Sequence, residues 1–375
     1  MHRLRLPQPS PEELAHSQRL QEKLRQLISN SLTQSISFYE LMNRALYEPQ
    51  LGYYVAGKQC IGTQGDFITA PEISALFSMS IAKHCLSFLQ TNPHSQVLEL
   101  GAGSGKMAST LLHYWGQWGA LPQHYLILEP SPTLQARQRE TLQATVPHLL
   151  PKVQWLSTLP SQRFTGVLLG NEVLDAMPIE LVRYKEGTYQ QVHVTTKTTS
   201  FEWALQPLPS TLEQHLNRLP LPHVEGYTTE VNPQLFAWMN TLGQVLEQGF
   251  MLLIDYGYSK TEYYHPDRSQ GTLQCFYRHH VHDNPLIYLG LQDITASVDF
   301  DALTDAALQA GFTDSDWTTQ ANFLLSNGLE QHFQQLLDEF PAQSYALAQQ
   351  IRLLTLPAEM GERFKVFRAD KVSGY

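Results

Sequence analysis

The feature that most constrains this chain is VLELGAGSGKMA, residues 97–108. An apolar run reads as a short buried strand, a turn with Gly101, Gly103 and Gly105 follows, and a helical pattern starts directly after it. Glycines allow torsions and close approach that a Cβ would block. Such a turn presents backbone N–H groups and a helix N-terminus to a ligand. Tight strand–helix packing alone would need one glycine, not three. A dinucleotide-binding turn has the spacing GxGxxG; here the third glycine comes one place early and Lys106 stands in its position. Glu99, two residues before the first glycine, would repel a diphosphate if ionised and suits a cation. S-adenosylmethionine (SAM) carries a sulfonium and an ammonium, so E-x-G-x-G-x-G favours SAM over a nicotinamide dinucleotide. Glu129 ends the next apolar run, YLILEP, where a carboxylate can accept hydrogen bonds from ribose hydroxyls. Both ligands contain that ribose, so Glu129 supports a nucleoside site without choosing between them.

The surrounding pattern predicts an α/β fold. Strand candidates at Val97–Leu100, Tyr125–Glu129, Val153–Leu156, Gly166–Leu169 and Gly249–Asp255 alternate with helical patterns at Gly105–Trp115 and Thr133–Ala144, as in a parallel sheet. Asp301–Ala310 reads as a helix closed by Gly311, and Phe364–Arg368 as a late strand. Upstream, Ser10 as cap, Pro11 in the first helical position and the acids Glu12 and Glu13 predict a helix over 10–34. Further helices are expected at 37–47 and Glu72–Gln90, separated by a loop rich in Gly and Tyr, Pro49–Ser74. Residues 181–225 and 257–300 do not fit a minimal α/β unit and read as insertions that shape a substrate site. The expected layout is a helical N-terminal extension with a cofactor-covering loop over 1–90, then a 91–375 domain carrying those insertions, the whole forming one unit.

Composition narrows the function. Twenty-five basic against thirty-five acidic residues leave a net charge of −10, which argues against nucleic acid held on a basic surface. No run of about 18 apolar residues offers a membrane span. Cys60, Cys85 and Cys275 are widely spaced with no CxxC, so neither a disulfide framework nor a structural zinc is expected. His279, His280 and His282 have only Asp283 as a neighbouring acid, and methyl transfer from SAM needs no metal. The N-terminal MHRLRLPQPSPEEL has no apolar core, and Pro7, Pro9 and Pro11 interrupt any amphipathic presequence, so a cytoplasmic location is expected.

The segment VLLGNEVLDAMPIE, residues 167–180, follows the fourth strand candidate. Ligands of open α/β sheets bind outside the carboxyl ends of the strands, so Asn171, Glu172 and Asp175 are the candidate catalytic residues. Methyl transfer needs an acceptor atom held in line with the sulfonium and a route for its proton. Glu172 can orient a guanidinium or amine. The competing reading has Glu172 and Asp175 capping a following helix. Glu180 reads as an ordinary residue of the insertion.

The chain resembles the MidA-like class I SAM-dependent methyltransferases. The carriers are ISFYELMNRALYEPQLGYY (36–54), GDFITAPEIS (65–74), VLELGAGSGKMA, GNEVLDAMP, GYTTEVNP (226–233), LLIDYGY (252–258), GTLQCFYRH (271–279), QDITASVDF (292–300) and EMGERFKV (359–366). The resemblance implies a Rossmann-like, seven-stranded methyltransferase sheet with a helical N-terminal extension and substrate-site insertions. It implies a cofactor set of Glu99, Gly101, Ala102, Gly103, Gly105 and Glu129, with Thr69, Pro71 and Asn171 joining it. The family includes a mitochondrial complex I assembly methyltransferase. Protein arginine is therefore the implied acceptor, with a respiratory-complex subunit as the implied partner. Many relatives carry His where Glu180 stands, so Glu180 inherits no role. The alternative is a SAM-binding assembly factor with little catalysis.

Overall fold

The computed structural model describes residues 6–57, 66, 68–198 and 200–373. Residues 58–65, which include Cys60 and Gly65, and residue 67 lie outside these residues. Two compact units are built from alternating stretches of chain: unit 1 from 1–67, 174–235 and 258–299, unit 2 from 68–173, 236–257 and 300–375. This corrects the expected division at residue 90 and the expected single unit. The 181–225 and 257–300 segments join the N-terminal helices around a core of their own.

Unit 2 holds the α/β sheet. Its strands are β1 (Gln96–Leu100), β2 (His124–Leu128), β3 (Val153–Leu156), β4 (Phe164–Asn171), β5 (Leu246–Tyr258), β6 (Asp314–Thr319) and β7 (Phe364–Lys371). Seven strands run in the order β3-β2-β1-β4-β5-β7-β6. The β3–β2, β2–β1, β1–β4 and β4–β5 pairs are parallel, and β7 lies antiparallel between β5 and β6. This is the class I methyltransferase sheet.

Val97, Leu98, Val167, Leu168, Leu169, Leu252 and Leu253 are fully buried, which explains why the central strands read as apolar runs rather than alternating ones. Register aligns the strand ends: Leu100 lies opposite Leu128 and Gly170, and Ile254 opposite Asn171. Gly101, Glu129, Asn171 and Asp255 thus leave the same edge. The order reverses between β1 and β4, the switch point where open α/β sheets bind ligands.

The helix predicted over Glu72–Gln90 is two helices, Ala70–Ile73 and Ala75–Thr91. Ser74 separates them in an extended conformation, its hydroxyl accepting from the Leu76 N–H at 3.2 Å. The C-terminal part of unit 2 adds helices Gln320–Ser326, Leu329–Glu339 and Ser344–Thr355, whose Leu324, Leu336 and Leu354 enter the core on the face of the sheet that holds Ala75–Thr91.

Unit 1 opens with the helix Pro11–Asn30, set by a capping box in which Ser10 and Glu13 exchange hydrogen bonds. Phe38–Tyr47 follows, capped by Ser37. An antiparallel sheet orders Ile36–Ser37, Thr188–Lys197, Glu180–Lys185 and Thr228–Val231, with Ser200–Gln206 pairing the long strand as well. Leu20, Leu24, Phe38, Leu41, Met42, Leu181, Val192 and Val194 form its core. A second small sheet pairs Gln274–Tyr277 with His280–His282 and Asp293–Thr295. Among the described residues no helix is long and apolar enough to cross a membrane, and no group of three His, Cys, Asp or Glu side chains is placed to hold a metal.

Candidate functional site

The site is built at the switch point of unit 2. Gly101, Gly103 and Gly105 have φ of 64°, 54° and 84°, the left-handed region that side chains resist. A Cβ on Gly101 would lie 3.2 Å from Val173 Cγ1, and one on Gly105 would lie 3.1 Å from the Gln138 Cα. The turn is therefore a cradle that only glycine fits. Ala102 is buried between them, and its carbonyl accepts from the Gly105 N–H at 2.8 Å.

Glu99 is 1% exposed and takes the Tyr125 hydroxyl on its carboxylate at 2.7 Å. Burial pushes its carboxyl up to about 7, with the Tyr125 hydrogen bond pulling the other way. A cation beside it would restore its charge. Glu129 is also buried; burial raises its carboxyl, while the Ser131 N–H at 2.9 Å and the Gln138 amide at 3.3 Å favour the ionised form. Two buried acids beside a glycine cradle fit a ligand with a cationic end and a ribose. They do not fit a diphosphate.

Gln138 is a site residue that sequence reasoning missed. Its side-chain N–H₂ donates to the Gly103 carbonyl at 3.1 Å and to Glu129, and its Oε1 accepts from the Trp155 indole at 2.9 Å. It ties the glycine turn, Glu129 and β3 together. A signal was present: Gln138 and Leu142 are the buried pair on helix Pro132–Thr145, four residues apart on one face. An amide on a buried stripe needs partners.

At the end of β4, Asn171 and Glu172 form a corner. Glu172 has φ 53°, uncommon for a residue with a side chain. Its N–H donates to the Ile254 carbonyl at 2.8 Å, and the Asn171 amide donates to its Oε1 at 3.0 Å. The Asn171 Oδ1 is buried and has no hydrogen-bond partner among the described residues. Backbone held this way at a ligand-binding edge is where strain collects in functional sites. Asp255 lies on β5 at the same edge, fully buried, accepting from the Tyr256 N–H at 2.9 Å.

Thr69 occupies the cap position of Ala70–Ile73 without a side-chain capping bond, and Pro71 lies in the first turn of that helix. The next residue, Glu72, reaches the glycine turn itself, bonding Ser104 and Lys106. This stretch therefore stands beside the cradle.

Asp175 belongs to the other compact unit. It is buried in unit 1, where its carbonyl accepts from the Ala296 N–H at 3.0 Å. No helix starts at 172–179; a turn leads into the strand Glu180–Lys185, so the capping alternative for Glu172 and Asp175 falls. Glu180 accepts from the Gln191 amide at 2.9 Å. Unit 1 also holds Asp293, 2% exposed, whose two oxygens each lie 2.9 Å from the Tyr54 hydroxyl that donates to them. Burial and the neighbouring Asp175 push its carboxyl well above the usual range.

The sheet order, the glycine cradle and the buried acid beneath it define a class I SAM-dependent methyltransferase. The chain belongs to the family described as "Putative S-adenosyl-L-methionine-dependent methyltransferase", whose profile matches residues 80–318. It is similar to a Burkholderia thailandensis protein whose crystal structure holds S-adenosyl-homocysteine (SAH): TM-score 0.92, 39% identity, 98% of this chain and 95% of that one. It is also similar to the Danio rerio protein named "Protein arginine methyltransferase NDUFAF7, mitochondrial", with 28% identity over 89% of this chain and 83% of the relative. The Homo sapiens protein of that name is likewise 28% identical, over 89% of this chain and 80% of the relative. These relatives are mitochondrial, and that overturns the expected cytoplasmic location, which rested on the features of a short N-terminal stretch alone.

Proposed function

We propose that this chain methylates a side-chain nitrogen of a protein substrate and that arginine is the acceptor. The activity named for the curated relatives supports this reading. The observation that carries it is the Asn171–Glu172 corner, a carboxylate held by a neighbouring amide on left-handed backbone at the switch-point edge. SAM supplies the methyl group on a sulfonium that needs no further activation. Glu99, Ala102 and the three glycines would hold its amino-acid end, and Glu129 its ribose. Thr69 and Pro71 would border the cofactor from the preceding helix.

Glu172 would accept N–H bonds from the guanidinium, hold one nitrogen in line and take up the proton that the methylated nitrogen gives up. Asn171 would fix the carboxylate through its N–H₂, leaving its Oδ1 for the cofactor or acceptor. A respiratory-complex subunit as the partner belongs to the same proposal. The reading needs no part for Asp175.

The test is transfer of labelled methyl groups from SAM to extracts of cells lacking the gene, with the modified residue mapped. Wild-type protein is expected to label arginine. Glu172→Gln should lower transfer about 100-fold or more, the scale of a lost acid–base group, with SAM affinity within about threefold of wild type. Labelling of another residue type would defeat the arginine assignment. Tight SAM binding with no acceptor in any extract would favour a non-catalytic assembly factor.

A further inference from the structure

Lys106 is out of place. It is the first residue of the helix Lys106–Gln117, where the helix dipole already supplies positive charge and acids are favoured. The helix has no acidic residue in its first turn, and its Gly105 cap offers no side chain. A lysine following a glycine turn would help a phosphate-binding loop and oppose a sulfonium.

The structure supplies the missing negative charge from a different element. Glu72, on the short helix Ala70–Ile73, has a side chain only 7% exposed, and its Oε2 lies 2.7 Å from the Lys106 ammonium. Its Oε1 accepts from the Ser104 hydroxyl, inside the glycine turn. Thr141 holds the same residue from the other side, donating to the Ser104 carbonyl at 2.7 Å. One buried carboxylate thus fixes the turn and engages the cation at its helix end.

We infer that Glu72 is a positioning and specificity residue: it cancels the charge of Lys106, so that the glycine turn accepts a cationic sulfonium cofactor rather than an anionic one. The inference rests on SAM as the cofactor. It adds a cause of cofactor choice that Glu99 does not provide.

SAM and SAH differ in the charge at sulfur, so the ratio of their dissociation constants reads charge, while losses common to both read shape. Calorimetry on the full chain measures both. Glu72→Gln is expected to unmask Lys106 and weaken SAM about tenfold more than SAH. Lys106→Met added to Glu72→Gln should restore the wild-type ratio. Lys106→Met alone changes a half-exposed side chain and leaves Glu72 uncompensated; it should shift the ratio towards SAM by a similar factor. This variant serves even where Glu72→Gln fails to fold. Equal losses of SAM and SAH in Glu72→Gln, no restoration in the double variant, or an unmoved ratio in Lys106→Met would each overturn the inference. Wild-type protein that binds neither ligand would instead remove the SAM reading beneath it.

Discussion

In the proposed site, Glu99 is the residue on which cofactor choice and stability meet. Its carboxyl is raised to about 7 by burial, above the ordinary value of 4.5 that the unfolded chain would show. A group raised in this way contributes stability that is fully present below the unfolded value and is lost as pH rises through about 7. Glu99→Gln should therefore match wild type in thermal stability near pH 4, below the unfolded value. Without ligand it should be more stable near pH 8, by about 1–3 kcal/mol. Binding runs the other way. A cation favours the ionised carboxylate, so wild-type affinity for SAM should rise between about pH 6 and pH 8, while the Gln variant stays weak and flat. Thermal melts and calorimetry at the two ends of that range are sufficient. Equal melts near pH 8 together with a wild-type pH profile in the variant would take Glu99 out of the binding site.

At the scale of elements, the helix Pro132–Thr145 does more than cross between strands. Through Gln138 it holds the Gly103 carbonyl, Glu129 and the Trp155 indole in one arrangement. Gln138→Leu keeps helix propensity but leaves three polar groups without that partner. The expected loss is about 1–3 kcal/mol of stability and at least a severalfold weaker SAM affinity, with helix content by circular dichroism unchanged. Unchanged affinity would reduce Gln138 to packing.

These elements also mark what the residues reveal by themselves. β1, β2, β4 and β5 are legible because both faces are buried and their apolar runs stop at Gly, Glu, Asn or Asp. The glycine turn and its acids are legible because their chemistry lies within a few residues. β6, DSDWTT, is not: it is polar, and its strand character comes from pairing with β7. Gln138 and Glu72 escape for a related reason. Each acts on a turn tens of residues away in sequence, and no local pattern marks such a contact.

At the scale of the molecule, the segments that look like insertions are half of a second unit with its own core. Phe38 is fully buried there, with the Trp203 ring 5.7 Å away. Phe38→Ala should cost about 3–5 kcal/mol, spent first within unit 1. Hydrogen exchange is the measurement. Amides of Glu180–Lys185 and Thr188–Lys197 should lose protection while those of β1 and β2 keep theirs. Equal loss across both sets would mean that the two cores open as one.

The position of β7 carries a consequence for how the protein is made. β7 follows β6 in the chain yet is interior, hydrogen-bonded to β5 along one side and β6 along the other. A nascent chain stopped before Phe364 would present two open edges to its surroundings, a standing invitation to aggregate. Translation has to pass Lys371 before this sheet can close, and the chain must be sheltered until then.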